Sequence, residues 1–214
     1  MRLYALMDRL LRPLLMRLYR VEVRDGERIP ATGPAVVAAN HESILDGFFL
    51  ALATRRQLRF MAKIELYRIP LLKQVLGGAG AFPVDRARDE GRSVFHGVEL
   101  LERGEAIGIF PQGTCLPYRE RPFKRGAARL ALATGAPLVP VALIGTEKAL
   151  RPHSIKVGRP RVTILVGEPI RVERHAGDGA AETELTARLE RAVDELRAPF
   201  GPPAHAWIEG RRPA

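Results

Sequence analysis

The chain has 214 residues, 34 Lys and Arg against 24 Asp and Glu, a net charge of +10, and a 46% hydrophobic share. That apolar content excludes wholesale disorder, and the length suits one large domain or one domain with appendages, which buries roughly 70% of its unfolded surface without disulfides. Cys115 is the single cysteine, so no internal disulfide forms, a usage that fits a reducing compartment. The positive excess comes mostly from Arg. It directs attention to anionic partners, among which composition does not choose: nucleic acid, anionic lipid and polyanionic cofactors all qualify, and coding bias is a further source of Arg.

The first twenty residues carry Leu3, Leu6, Met7, Leu10, Leu11, Leu14, Leu15 and Leu18 at steps of three and four. This spacing predicts a helix with a Leu face, punctuated elsewhere by Arg2, Arg9, Arg12, Arg17 and Arg20. Two placements fit such a helix: lying in a membrane interface with guanidinium groups on lipid phosphates, or packing on the core with a solvated Arg face. Pro13 is expected to kink or divide it. Asp8, Arg9 and Arg12 break the apolar run a secretory signal needs, and no stretch of the chain approaches the roughly 18 uninterrupted apolar residues of a spanning helix. The expected location is the cytosol or the cytosolic face of a membrane.

From Ala35 onward, apolar runs alternate with helical patterns. Strands are expected at Ala35–Ala39, Leu58–Lys63, Ala81–Val84, Ala106–Phe110, Leu138–Ile144 and Val162–Val166. Helices are expected at Ser43–Ala53, Pro70–Leu76, Asp89–Arg103, Arg125–Thr134 and Thr183–Arg197, with Gly77–Gly80, Gly104 and Gly135 as stops. The pattern predicts an α/β domain, a single-layer sheet flanked by helices, over residues 23–197. It follows an amphipathic segment at 1–22 and precedes a Pro/Gly-rich tail at 198–214 that carries Trp207.

Several familiar motifs fail on inspection. Pro83 stands where the third glycine of a dinucleotide loop belongs after Gly78 and Gly80, and Thr114 replaces the lysine of a P-loop spaced from Gly108 to Gly113. Leu45 occupies the second histidine position of a zinc-protease helix begun by His41-Glu42. There is no G-x-S-x-G nucleophile elbow and no metal-ligand spacing, so no metal is expected.

The remaining feature is Asn40-His41-Glu42-Ser43-Ile44-Leu45-Asp46, directly after a predicted strand. If the turn is tight, the Asp46 carboxylate folds back onto one nitrogen of His41, fixing the tautomer and freeing the other nitrogen to take a proton. An imidazole with an ordinary pKa of about 6.5 is largely neutral near pH 7. Taken alone, the spacing favours a carboxylate that merely starts a helix.

Downstream follow RFMAKIELYRIP (Arg59–Pro70), GAFPVDR (Gly80–Arg86), IFPQGT (Ile109–Thr114), FKRGAARLA (Phe123–Ala131) and APLVPVAL (Ala136–Leu143). Together with NHESILD, this ordered series resembles the glycerolipid acyltransferase family that includes bacterial lysophosphatidic acid acyltransferases. A weaker match runs through Val157–Pro169. The resemblance implies transfer of a fatty acyl group from acyl-CoA or acyl carrier protein to a lipid hydroxyl, most simply that of 1-acyl-sn-glycerol-3-phosphate, by direct attack in a ternary complex.

In the matching positions His41 looks like the general base and Asp46 its partner. Arg86 looks like a ligand for an acceptor phosphate, Gln112, Gly113 and Thr114 lie in an acceptor-associated motif, and Lys124 adds positive potential. Backbone amides around Gly113 suit the oxyanion. Lys63 and Glu65 match as a structural ion pair, and Cys115 falls away from any nucleophile position.

The third motif departs from the usual F-P-E-G-T-R-S: Gln112 stands for Glu and Cys115 for Arg. The lost Arg leaves other lysophospholipids, glycolipids and lipid alcohols open as acceptors, although Arg86, Arg119, Arg121 and Arg125 are nearby cations. The resemblance also implies no bound cofactor, a lipid acceptor, an anionic membrane surface as partner and acyl carrier protein as a further one; few aromatics (6%) and no recognisable nucleic-acid module argue against nucleic acid. The rival activities are a thioesterase using the same pair on water and a basic membrane- or nucleic-acid-binding protein.

Overall fold

The computed structural model describes residues 2–68, 70–78, 80–84, 90–115, 122–150, 156–175 and 177–201. Seven strands form one sheet in the order β1-β7-β6-β2-β5-β3-β4. They are β1 (Glu22–Arg24), β2 (Ala35–Ala39), β3 (Leu58–Lys63), β4 (Ala81–Val84), β5 (Ala106–Ile109), β6 (Leu138–Ile144) and β7 (Thr163–Val166). All neighbours are parallel except β6 and β7.

A parallel sheet covered on both faces favours strands that are apolar throughout. β2 shows why its sequence reads AVVAA. Ala35, Val37 and Ala39 point into one buried layer, and Val36 and Ala38 into the other. The first layer lies under α1 (Arg2–Leu18) and α2 (Asp46–Leu52), where Tyr19 meets the Phe49 ring edge-on at 5.0 Å. The second lies under α4 (Glu90–Glu102), α5 (Gly126–Thr134) and α6 (Gly179–Arg197). The short α3 (Pro70–Gly78) sits beside β4 and touches α1.

The expected α/β architecture is the observed one, with local differences. β1 was not expected; it is a polar edge strand of three residues, paired only with β7. α2 begins at Asp46 rather than Ser43. α6 begins at Gly179 rather than Thr183, because the Asp178 carboxylate accepts the Ala180 and Ala181 amides as an N-cap. α5 stops where Gly135 takes φ +72° and returns its N–H to Ala131. Beyond α6 the chain makes a short 3-10 turn at Ala198–Phe200, and Trp207 lies outside the described residues.

The amphipathic helix needs the largest correction. α1 runs undivided through Pro13. Its outward Leu face and Arg face do not separate as the spacing suggested: Leu10 and Leu14 are exposed, while Arg12 is buried. Arg12 donates to the Leu52 carbonyl at 3.0 Å, the Ala51 carbonyl at 3.1 Å and the Thr54 carbonyl, and pairs with Asp8 at 2.8 Å. Carbonyls at the C-terminal end of a helix have no intrahelical partner, so a guanidinium there satisfies several at once. Arg12 thus anchors α1 on the end of α2, and Leu15, Met16 and Leu18 complete the packing. Arg12→Met is expected to lower stability by about 2 kcal/mol in urea unfolding. Leu10→Ser should change it by no more than about 0.5 kcal/mol.

Candidate active site

β2 and β5 are parallel neighbours, so the segments leaving their carboxyl ends, 40–45 and 110–115, emerge side by side. Crevices at this edge of an open α/β sheet are where such folds place ligands. Asn40 closes the end of β2. Its side-chain amide donates to the Leu143 carbonyl at 2.9 Å and its oxygen accepts the Leu143 N–H at 2.7 Å, continuing the β2–β6 ladder by one side chain.

The chain then turns around one oxygen. Asp46 Oδ2 accepts the Glu42 N–H at 2.6 Å and the Ser43 N–H at 2.7 Å, and lies 2.9 Å from His41 Nδ1. With two amides already donating, the His41 contact is satisfied when Nδ1 carries the proton, which leaves the Nε2 lone pair as the basic position. Asp46 is fully buried and the His41 side chain is about one-fifth exposed, 19%. The shortened start of α2 has the same cause, since the Glu42 and Ser43 amides serve the carboxylate rather than a helical ladder. Ser43 is held in turn by its hydroxyl, which donates to the Leu150 carbonyl at 2.9 Å.

The second segment supports the imidazole from behind. The Phe110 ring stacks on His41 with centroids 4.3 Å apart and planes 20° apart, and Phe60 continues the column at 6.4 Å. Gly108 makes room for it, because a Cβ there would lie 2.3 Å from the Phe60 ring. Phe110-Pro111-Gln112-Gly113 is a tight turn closed by the Gly113 N–H on the Phe110 carbonyl at 2.9 Å, and Gly113 takes φ +75°. Gln112 Oε1 accepts the His41 backbone N–H, so its amide ties the two segments together.

His41 borders a cavity of about 450 Å³. Ile44 from the preceding turn and Gly47, Phe48, Ala51 and Leu52 of α2 line it, with Leu11 and Leu15 of α1, while Phe60, Met61 and Phe110 form the sheet side. His41 stands at the start of α2, and the Asp8–Arg12 pair at its other end. This is an apolar chamber bordered by the imidazole of His41 and by the Asp8–Arg12 ion pair.

The structure brings His41, Asp46, Gln112, Gly113 and Thr114 together; Gly113, Thr114 and Cys115 also border the cavity. Lys124 is exposed and lies over Gly113, its Nζ 3.2 Å from where a Cβ would stand. Arg86, Arg119 and Arg121 lie outside the described residues, as do the side chains of Lys63 and Glu65. Arg125 faces Glu182 of α6 at 3.9 Å. The contribution of α1 to the cavity wall was not foreseen, since its Leu stripe suited a membrane interface and packing on the core alike and pointed to no cavity. Among the described residues, no cluster of His, Cys, Asp and Glu is placed to hold a metal.

Burial, and then the Asp46 and Glu42 carboxylates, push the Cys115 thiol up to about 12. It is therefore protonated throughout the neutral range and is a poor nucleophile. Cys115→Ala is expected to keep at least about half of the activity, and iodoacetamide at pH 8 should leave the enzyme active in a time course of turnover.

Comparison with known proteins places this geometry. The profile of the acyltransferase family matches residues 20–144. The 1-acyl-sn-glycerol-3-phosphate acyltransferase of Bacillus subtilis is 32% identical over 186 residues, 82% of this chain and 91% of that protein. A chloroplastic 1-acyl-sn-glycerol-3-phosphate acyltransferase of Brassica napus is 30% identical over 157 residues, 71% of this chain but 45% of that protein. The yeast Saccharomyces cerevisiae enzyme of the same name is 30% identical over 178 residues, 80% of this chain and 58% of its own length. The chain thus spans about half of the plant and yeast relatives. In fold it is similar to the crystal structure of the 1-acyl-sn-glycerophosphate acyltransferase of Thermotoga maritima, with a TM-score of 0.75, 24% identity, and coverage of 99% of this chain and 81% of that one.

Proposed function

The chain belongs to the acyltransferase family as a glycerolipid acyltransferase, and from that premise we propose that it acylates 1-acyl-sn-glycerol-3-phosphate from acyl-CoA or acyl carrier protein with His41 as general base. The observation that carries this reading is the position of the His41–Asp46 pair on the border of the apolar cavity. The cavity takes the acyl chain of the thioester along α2 and leaves its carbonyl beside His41.

The acceptor hydroxyl gives its proton to His41 Nε2, and its oxygen attacks the thioester carbonyl carbon. Asp46 holds the imidazolium that results, through the Nδ1–H bond. The new C–O bond puts charge on the carbonyl oxygen. The Gly113 N–H is spent on its turn, so the amides of Thr114 and Cys115 are the donors assigned to that oxyanion. Collapse breaks the C–S bond, and the departing thiolate takes the proton back from His41. No acyl-enzyme forms, in keeping with the protonated Cys115.

Lys124, with Arg86 from the Gly80–Arg86 block, supplies positive charge for the acceptor phosphate. Gln112 has its oxygen committed to the His41 amide, which leaves its N–H2 as donors toward the acceptor, where the usual Glu offers none. The names of the relatives support a phosphorylated acceptor.

Peripheral membrane association is part of the same reading. No helix among the described residues is long and apolar enough to cross a membrane. Leu10, Leu14 and Ile44 expose apolar side chains on α1 and at the border of the cavity, with Arg9 and Arg17 exposed on the same helix. Such a surface suits insertion into the headgroup layer of an anionic membrane.

Thiol release from acyl-CoA across a panel of lipid acceptors tests the reaction. His41→Ala is expected to lose on the order of 10²–10⁴-fold in rate. Full activity in that variant rejects the base, and equal release without acceptor makes the protein a thioesterase. A second measurement is vesicle sedimentation. Leu10→Glu with Leu14→Glu should release the protein from vesicles containing phosphatidylglycerol, and unchanged pelleting would reject the α1 surface as the contact.

A further inference from the structure

The ion pair between Glu42 and Arg197 lies outside every role assigned so far. Arg197 Nη2 stands 2.6 Å from Glu42 Oε1, with the two side chains only 14% and 5% exposed. Glu42 follows His41 directly, and its own N–H is one of the donors on Asp46 Oδ2. Its carboxylate also lies 3.4 Å from the Asn40 side-chain amide, which is fixed to Leu143 of β6. Arg197 is the last residue of α6, a helix packed along β6 and α5. It stands far outside residues 20–144, the part of the chain that the family profile matches.

A carboxylate this buried must keep its charge partner, because an uncompensated ion in the interior is far costlier than the pair. Glu42 has little freedom to move while Arg197 holds it. The residue's backbone then presents its amide to Asp46, and Asp46 in turn fixes the ring of His41. Losing the guanidinium would drive the Glu42 carboxylate toward water or another donor. The turn would follow, and the Glu42 N–H would leave Asp46. A base misplaced by even 1 Å loses much of its rate.

We propose that Arg197 is a positioning residue for the acyl transfer, acting through Glu42 on the turn that holds the His41–Asp46 pair. The proposal rests on the reading of His41 as base. It predicts a specific kinetic pattern, since the cavity that binds the acyl chain contains neither Glu42 nor Arg197. Losing the pair should lower kcat while leaving KM for the thioester nearly alone.

The experiment uses the full chain with acyl-CoA and the best acceptor of the panel, with kcat expressed per folded protein and melting followed alongside. Arg197→Gln is expected to lower kcat about tenfold or more, with KM for acyl-CoA within about threefold of the parent. Arg197→Lys should recover part of the rate, because it keeps a positive charge opposite Glu42. Glu42→Gln combined with Arg197→Gln should be no slower than the slower single variant, as both ends of one interaction are removed together. This double variant also carries the test if Arg197→Gln alone does not fold, since it removes both charges of the pair together.

An unchanged kcat in folded Arg197→Gln overturns the proposal, and so do losses that multiply in the double variant. A lower melting temperature with kcat intact shows an anchor for α6 and equally overturns it. His41→Ala in the same assay separates the two claims. Activity retained there defeats the base assignment, whereas an inactive His41→Ala beside an unaffected Arg197→Gln defeats the positioning role alone.

Discussion

One buried carboxylate oxygen organises the site. Asp46 Oδ2 gathers the Glu42 and Ser43 amides and the Nδ1 of His41 within 2.9 Å. Burying a carboxylate costs free energy unless donors replace the water it loses; three N–H groups do so at Oδ2, while Oδ1 is buried without a hydrogen-bond partner among the described residues. The same bonds set the geometry of everything nearby. They close the turn after β2, start α2 at Asp46, and present the imidazole with Nε2 outward. The local fold and the orientation of the imidazole are therefore one set of interactions.

The sheet supplies the rest by adjacency. Parallel pairing of β2 with β5 sets their exits side by side, so the Phe110–Gly113 turn lies against His41 without any long excursion of the chain. Phe110 restrains the imidazole from one face, and Gln112 holds its backbone. Gly108 is small for a reason one layer deeper: the Phe60 ring occupies the space above it and extends the aromatic wall into the cavity. Three residues of one β-strand and its turn thus shape the ring, the turn and the chamber.

Much of this was legible in the sequence, and the exceptions share a cause. Strands buried on both faces announce themselves as continuous apolar runs, so β2 and β6 have the expected bounds. The His41-to-Asp46 spacing allowed the fold-back, and the structure adds the two amides that make the carboxylate a hub. What was hidden depends on contacts between distant segments. Glu22–Arg24 has no apolar alternation and is a strand only because β7 offers an edge. Arg12 read as one more outer cation on a Leu helix, but the free carbonyls at the end of α2, forty residues away, draw it inside. Arg197 carries no motif at all; its meaning lies in a partner at position 42. Tertiary demand overrides helical periodicity at such positions, and local pattern has no term for it.

The arginines of α1 fall into two populations with different responses to ionic strength. Arg9 and Arg17 face solvent, where at about 0.1 M salt a charge is screened beyond roughly 10 Å. Arg12 is shielded by protein and bound to carbonyls and Asp8, so dissolved ions scarcely reach it. Salt therefore screens the outward charge of the helix without loosening its grip on the domain, and the wall of the chamber stays in place at high ionic strength.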